Sequence, residues 1–228
     1  TATTALTGSA MYFHNSKLST FTIPVTGAAT SLLVSMVNTT ATGAVSMSTT
    51  TTCTQCSFFV SLCAFSSTFT LAGTFLTDGA AILNGSTFVG AFGFTYDVRN
   101  TTYHVRYSTF NGVQTITSIC DTNAIIAYNY STMVGALTMT GARTNCFTYF
   151  FMNTVTALLT VDTGTSATSQ FLLFGNAFNN GVKFNPVGTI LGTSSSLVIA
   201  SNTITSAAGD GIDLIWTVNG GSTVRVMN

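Results

Sequence analysis

Short runs in which apolar and polar residues alternate recur along the whole chain. Phe21, Ile23 and Val25 alternate with polar residues, which is typical of a half-buried strand. One segment differs, because Ala29, Leu32, Leu33, Met36 and Val37 lie at helical spacing, and a short helix is predicted over 28–37. Further strands are predicted at 57–65, 68–76, 81–98, 102–110, 113–119, 124–130, 135–140, 147–161, 170–178, 182–191, 195–205, 212–218 and 223–227.

Turn signals separate these predicted strands. Asn or Asp followed by Gly is the strongest short hairpin signal, because both residue types tolerate positive φ. The sequence therefore predicts an all-β protein, an antiparallel β-sandwich of jelly-roll type. A β-solenoid is the alternative fold, but no fixed repeat period is found. The turn signals are Asp78-Gly79, Asn84-Gly85, Asn111-Gly112, Asn180-Gly181, Asp210-Gly211 and Asn219-Gly220-Gly221.

Two segments are predicted from the chain's organisation. Residues 1–25 are interpreted as an N-terminal extended segment, and residues 26–228 as the β-sandwich domain. The first segment could add a strand to a neighbouring subunit, as a donor strand does. A division near 100–110 is an alternative that no shift in composition supports. The start at Thr1 is interpreted as a processed, mature end.

Composition strengthens the prediction of strands. The chain has 45 Thr and 23 Ser, yet 46% of its residues are apolar, and this combination is unlike that of disordered chains. Thr, Val, Ile, Phe and Tyr all favour pleated sheets, whereas Glu is absent.

Charge is scarce and balanced. Six basic and six acidic residues make up 5% of the chain, against roughly 25% in ordinary soluble domains. Without a basic patch, binding to nucleic acid is not expected. No apolar run is long enough for a membrane span, so membrane insertion is not expected either. With only six Asp to protonate, we expect the fold to tolerate strong acid.

Few charges also leave sheet edges unprotected. Lys and Pro normally shield edge strands, and the chain has two of each. The main hypothesis is therefore a structural subunit that assembles with copies of itself into an extracellular filament, pilus-like thread or surface lattice, with donor-strand exchange as one mode of assembly. A viral capsid, spike or fibre protein is the first alternative, and an adhesin or glycan-binding module is the second. No enzymatic activity, cofactor or metal is predicted, and the expected location is the cell surface or, for the viral alternative, the virion.

Modification sites fit such a location. Four Asn-x-Ser/Thr acceptors for N-linked glycans occur, at Asn38, Asn84, Asn100 and Asn129. Five cysteines are the disulfide candidates, and their odd number leaves at least one free or paired between chains. Cys63, within an apolar run, is interpreted as a small buried residue, and one or two disulfides are predicted among Cys53, Cys56, Cys120 and Cys146.

One segment suggests catalysis. Residues 158–166 read Leu-Leu-Thr-Val-Asp-Thr-Gly-Thr-Ser, which resembles the active-site turn of pepsin-like aspartic peptidases. The resemblance implies that Asp162 is a catalytic carboxylate and that Thr163, Gly164 and Thr165 shape its turn. Thr-Ile-Leu-Gly at 189–192 superficially resembles the family's apolar-Gly element. The chain has no second Asp-Thr/Ser-Gly turn, so a Thr-rich turn is the preferred interpretation and the peptidase is a remote alternative.

Other chemical groups are isolated in the sequence. His14 and His104 are the two histidines, and no Gly-x-Ser-x-Gly elbow accompanies them. Asp210 and Asp213 lie three residues apart beside glycine, where a hairpin turn is preferred over a calcium site. Trp216 is predicted to lie in the core.

Overall fold

All the described strands run parallel and wrap into one β-solenoid. The computed structural model of the protein describes residues 6–25, 27–49, 51–162, 166–184, 190–191, 194–206, 211–214, 217–218 and 220–227. Each turn contributes strands to three sheets, and about nine turns are stacked. Strands that begin successive turns, such as those starting at Ala10 and Leu33, pair residue by residue without a register shift.

The strand bounds follow sheet by sheet, within the described residues. Sheet I has ten strands, which are β2 Ala10–His14, β6 Leu33–Val37, β10 Ser57–Ser61, β13 Ala80–Asn84, β16 Thr102–Arg106, β20 Ile125–Asn129, β24 Phe147–Phe151, β28 Gln170–Phe174, β32 Ser196–Ala200 and β36 Thr223–Met227. Sheet II has nine, which are β3 Lys17–Leu18, β7 Thr40–Ala41, β11 Ala64–Phe65, β14 Thr87–Phe88, β17 Thr109–Phe110, β21 Thr132–Met133, β25 Thr154–Val155, β29 Ala177–Phe178 and β33 Thr203–Ile204. Sheet III has seventeen, which are β1 Leu6–Thr7, β4 Phe21–Val25, β5 Ala29–Thr30, β8 Val45–Thr49, β9 Thr52–Thr54, β12 Phe69–Thr77, β15 Phe92–Arg99, β18 Gln114–Thr117, β19 Cys120–Asp121, β22 Leu137–Thr140, β23 Arg143–Thr144, β26 Leu159–Asp162, β27 Ser166–Ala167, β30 Val182–Phe184, β31 Ile190–Leu191, β34 Ile212–Leu214 and β35 Thr217–Val218.

Alternation along each strand builds the core. Inward residues of successive turns lie above one another, so like side chains form columns through the solenoid. The rings of Phe65, Phe88 and Phe110 stack nearly parallel, with centroids 5.0 and 4.7 Å apart. All three rings are fully buried. This column fixes the distance between turns on the sheet II side.

Polar ladders complete the hydrogen bonding where sheet I turns into sheet II. At this corner, one backbone N–H of each turn donates to a side-chain oxygen at the same corner of the next turn, over 2.8–3.2 Å. Buried corner N–H groups would otherwise lack partners. A second ladder through Ser169 and Ser195 does the same where sheet III turns into sheet I. The first ladder consists of Ser86, Ser108, Ser131, Asn153, Asn176 and Asn202.

The predicted antiparallel sandwich is wrong, and the β-solenoid alternative is the fold observed. The turn signals predict hairpins, but those within the described residues lie at corners where the chain continues into the next sheet in the same sense. Asp78, for example, has φ 53° between β12 and β13, which belong to different sheets. The sequence shows no exact repeat period, because successive turns differ in length by a few residues and share side-chain classes rather than residues.

The helix predicted over 28–37 is also absent. Residues Ala29–Thr30 and Leu33–Val37 form strands instead, with Ser31 in the left-handed region at φ 55° between them. Leu32 is buried at the corner, and Val34 and Met36 are buried in the strand that follows. A corner and a strand therefore bury apolar residues that the sequence also spaces as a helix would.

The N-terminal segment belongs to the first turn as far as it is described. Residues 10–14 pair with β6, and residues 21–25 pair with β8. Donor-strand exchange by residues 1–25 gains no support from these pairings and stays a prediction; residues 1–5 lie outside the described residues. Pairing continues through 100–110, where β16 contacts both β13 and β20.

The predicted disulfides are present. Cys53 and Cys56 are bonded across the corner between sheet III and sheet I, and Cys120 is bonded to Cys146 in the following turn. Closing a loop of 26 residues stabilises a fold by about 3.5 kcal/mol in the chain-entropy account. Cys63 is free and buried beside Ser86, whose hydroxyl accepts its backbone N–H.

Glycine is required where turns approach most closely. A Cβ at Gly112 would lie 2.2 Å from the carbonyl oxygen of Gly90, whereas a Cβ at Gly93 would lie 3.7 Å from its nearest neighbour, a methyl of Thr70.

We expect Gly112→Ala to lower the free energy of unfolding by about 2 kcal/mol or more, because the backbone must move to make room for the added Cβ. Gly93→Ala, the matched control, should change it by less than about 1 kcal/mol. Denaturant unfolding followed by circular dichroism measures both, and equal effects would contradict this close stacking.

Candidate binding face

Four aromatic rings form a continuous row on the outside of the solenoid. The row, termed the ring ladder, consists of Tyr107, Tyr130, Phe151 and Phe174, one from each of four successive turns. Neighbouring ring centroids lie 5.3, 5.5 and 5.6 Å apart. Two of the pairs are stacked, and the middle pair meets edge to face. The ring ladder therefore holds a row of aromatic surface along the solenoid axis.

Backbone conformation shows that two of these rings are not favoured by the fold itself. Tyr107 and Tyr130 occupy the corner after sheet I, with φ 51° and 50°. The left-handed conformation costs a non-glycine residue roughly 1–2 kcal/mol, and the same corner is filled by Gly85 and Gly175 in other turns. The Tyr side chains are 63% and 49% exposed, so burial does not compensate for this cost. The backbone at this corner therefore gives no reason for choosing tyrosine.

Polar groups with unused hydrogen-bonding capacity border the ring ladder. Arg106 and Asn129 end neighbouring strands of sheet I on the same outer face, and His104 lies beside them. Arg106 Nε, Asn129 Oδ1 and His104 Nε2 have no hydrogen-bond partner in the protein. Their side chains are half-buried and the three atoms themselves are covered, so a bound molecule reaches these atoms only when the side chains rotate.

Arg106 is the charged group at the border of the ring ladder, and it acts on the nearby His104. Burial lowers the pKa of His104 below its ordinary value, and the nearby charge of Arg106 lowers it further. The imidazole is therefore neutral at physiological pH, with one donor and one acceptor. The face can hydrogen-bond a neutral ligand, and Arg106 can additionally hold a carboxylate.

A shallow groove continues from Arg106 toward the earlier turns. Its volume is about 190 Å³, and it is lined by Phe59, Ser61, Ile82, Asn84 and Arg106. Phe59 supplies another exposed ring in this groove. Groove and ring ladder thus form one surface on the outer side of sheet I, termed the aromatic face.

Two predicted glycan acceptors lie on this face. Asn129 borders the ring ladder, and Asn84 lines the groove. The hydroxyls of Ser86 and Ser131, which complete the two acceptor motifs, are buried in the first polar ladder. Glycosylation is untested at both sites and stays a prediction.

The other two acceptors lie at exposed corners. Asn38 donates to Asn15 Oδ1 over 2.7 Å, and Asn100 donates to Asp78 Oδ1 over 2.6 Å. Both asparagines have positive φ, which explains why Asn occurs at these corners without reference to a glycan. Their modification also stays a prediction.

Asp162 ends β26 on the outer side of sheet III, directly opposite Thr140. Thr163, Gly164, Thr165, Thr189 and Gly192 lie outside the described residues, whereas Ile190–Leu191 form β31. The structure brings no second carboxylate to Asp162 among the pairings of its strand. The peptidase alternative gains no support from this arrangement.

The remaining candidate residues are scattered. His14 lies 3.4 Å from the Ser35 hydroxyl, and Asp213 lies 3.8 Å from Lys183 Nζ. Asp210 and Trp216 lie outside the described residues. Within the described part of the chain, no three His, Cys, Asp or Glu residues are grouped to hold a metal ion.

One charge is buried in the core without being part of the aromatic face. Arg143 is fully buried next to Cys120, and its Nη1 donates to the carbonyl oxygens of Ser118 and Ala142. Burial lowers its pKa to about 10, while Asp97 acts in the opposite direction. Nε and Nη2 have no partner.

Sequence reasoning did not identify the ring ladder. Neighbouring members of the ring ladder are 21 to 23 residues apart in the sequence, which is close to the length of one turn. A search for aromatic residues repeating at that period would have found them, but only after the period itself was known.

No helix of the described residues has the length and apolarity to cross a membrane. Comparison of the chain with family models, curated proteins and solved structures found no match, so its function is inferred from its own residues.

Proposed function

We propose that the protein is an adhesin-like module that binds oligosaccharides along the aromatic face of sheet I. The observation that carries this proposal is the ring ladder with unpaired polar groups at its border. Sugars present apolar C–H faces to aromatic rings and hydroxyls to amides and guanidinium groups. Ring centroids 5.3–5.6 Å apart are separated by about the length of one pyranose unit.

The balance of apolar and charged groups favours a glycan over a protein partner. A protein interface of standard size buries roughly 800 Å² on each side and has a well-packed apolar centre. The ring ladder is a single row instead, bordered by Arg106, Asn129 and His104. A narrow row with polar edges suits an extended chain of sugars.

An extracellular location fits this proposal. Two disulfides form and persist most readily in an oxidising compartment. A cell surface or virion surface is such a location and is also where glycan receptors are met.

The test removes rings without straining the backbone. Tyr107→Gly with Tyr130→Gly removes half of the ring ladder. It introduces no backbone strain, because glycine adopts the positive φ of these two positions freely. If each ring contributes about 0.5–1.5 kcal/mol to binding, losing both removes about 1–3 kcal/mol, so we expect affinity to fall roughly 5- to 160-fold. Leu62→Gly is the matched control, because Leu62 has the same φ sign and is 63% exposed, but lies outside the ring ladder.

An array of defined neutral and uronic-acid oligosaccharides provides the probe, followed by calorimetry on the best ligand. Retention of an oligosaccharide by the wild type and by Leu62→Gly, but not by the double variant, is the expected pattern. If the wild type retains no oligosaccharide, or the double variant binds as well as the wild type, glycan binding at this face is wrong.

Self-assembly remains a second candidate function, and one feature favours it. Val224 and Val226 in β36 occupy inward positions, opposite the buried Leu197 and Ile199, yet they are 37% and 57% exposed. A groove of about 580 Å³ lies beside them. Either a further turn or a second copy, paired head to tail, could cover this edge, and the second arrangement extends into filaments. Cell-surface threads and virion fibres share this geometry.

Charging that edge tests the second candidate. We expect Val226→Lys to shift assemblies toward single subunits, because an inward lysine opposes strand addition. Val198→Lys, on the outer side of the neighbouring strand β32, is the control. Light scattering after size exclusion, with negative-stain microscopy, reports the result. If the wild type is monomeric at high concentration, end-to-end assembly is contradicted.

A further inference from the structure

The outer side of sheet II is a regular two-column array of small residues, most of them hydroxylic, termed the hydroxyl lattice. Each turn contributes one residue from the strand and one residue just after it. The first column is Thr40, Ala64, Thr87, Thr109, Thr132, Thr154, Ala177 and Thr203. The second column is Thr42, Ser66, Val89, Asn111, Val134, Thr156, Asn179 and Thr205.

Both columns keep strict register over eight turns. In the first column, each residue pairs directly with its counterpart in the next turn, as Thr109 pairs with Thr132. In the second column, each backbone N–H donates to a carbonyl oxygen of the preceding turn over 2.8–3.0 Å. The residues therefore repeat about every 4.8 Å along the solenoid and about every 6.7 Å across it.

The support beneath this array is rigid. Behind each pair of outer residues lies one inward residue, including Phe65, Phe88 and Phe110, which are stacked, and Phe178, which is fully buried. Thr is also stiff at χ1, so hydroxyls in equivalent backbone settings point in equivalent directions. The outer atoms are thus held as a lattice rather than as a mobile surface.

Charge is confined to one end of the array, where Lys17 of β3 pairs with Thr40. Between Thr40 and Thr205, none of its described positions carries an ionisable side chain. The ion pairs Arg99–Asp121 and Lys183–Asp213 lie on strands of sheet III. The lattice also has no aromatic ring, and Val89 and Val134 expose methyl groups alongside the hydroxyls. Between Thr40 and Thr205, charged groups that would impose their own arrangement on nearby water are therefore missing from the described positions.

We propose that the hydroxyl lattice binds the crystalline surface of ice. A Thr hydroxyl can hydrogen-bond water, and its methyl orders the water around it. The hydroxyls of Thr42 and Thr205 also donate to backbone carbonyl oxygens over 3.4 Å, which leaves their oxygens free to accept from water. Because these groups repeat in two directions on a fixed support, the water they hold repeats with them. Ice is a ligand that presents the same molecule at regular intervals across a plane. A flexible glycan or peptide would gain little from an array without rings or charges.

The outer side of sheet III is less suited to the same ligand. Thr115, Thr117, Thr138 and Thr140 form a similar local arrangement there. Gly93 and Asp162 interrupt it on either side, and the Lys183–Asp213 pair follows. This patch supplies a control surface of the same residue type on the same molecule.

The experiment compares tyrosines placed on the two surfaces. Thr109→Tyr with Thr132→Tyr puts two bulky rings in the centre of the hydroxyl lattice, and Thr115→Tyr with Thr138→Tyr puts them on sheet III. Thermal hysteresis and inhibition of ice recrystallisation are measured on the full chain, and circular dichroism confirms that each variant is folded. We expect the wild type and the sheet III variant to be active and the sheet II variant to lose most of its activity.

Several outcomes overturn the proposal. These are an inactive wild type, a fully active sheet II variant, and equal loss in the sheet III variant. Binding to microcrystalline chitin or cellulose without binding to ice, if lost in the sheet II variant but kept by Tyr107→Gly with Tyr130→Gly, would assign the lattice to a crystalline polysaccharide instead. Tyr107→Gly with Tyr130→Gly should leave ice activity unchanged, which separates this proposal from glycan binding on sheet I.

Discussion

Hydrogen bonding between successive turns is the constraint on which the rest of the structure depends. In a parallel stack, each turn satisfies the backbone groups of the turns on both sides, and only the outermost turns have unpaired edges. The corners would break this continuity, because the chain bends there and its N–H groups leave the strands. Side-chain oxygens of Ser131, Asn153 and Asn176 fill these positions, so the stacking continues through the bends.

The same constraint explains the composition. A residue that faces outward in one turn meets its counterpart in the next at strand spacing, so like charges would repel along every column. Thr and Ser avoid that repulsion and fit a pleated surface, which accounts for the scarcity of charge without any reference to assembly. The self-association inferred from few charges therefore has a competing explanation within the chain.

The sequence was sufficient to predict an all-β protein, because strand propensity and alternation are local properties. It was not sufficient to distinguish hairpins from solenoid corners, since Asp78 and Asn100 adopt positive φ at a corner as readily as in a hairpin. The disulfides and the buried, free Cys63 were predictable from number and context, whereas the pairing of Cys120 with Cys146 depends on the stacking of turns. The aromatic face and the hydroxyl lattice were unpredictable for the same reason. Tyr107 and Tyr130 become neighbours only when residues about one turn apart are superimposed.

Distances along the solenoid axis test the parallel stack most directly. Three doubly labelled samples carry one nitroxide at position 40 and a second at position 109, 154 or 203, all in the first column of the hydroxyl lattice. The second label then lies three, five or seven turns from the first. The stack predicts narrow pulsed electron paramagnetic resonance distributions that lengthen by about 9.6 Å at each step, which is twice the strand spacing. Distances that fail to increase in order, or that cluster near one value as they would across a sandwich, would contradict the stacked-turn architecture.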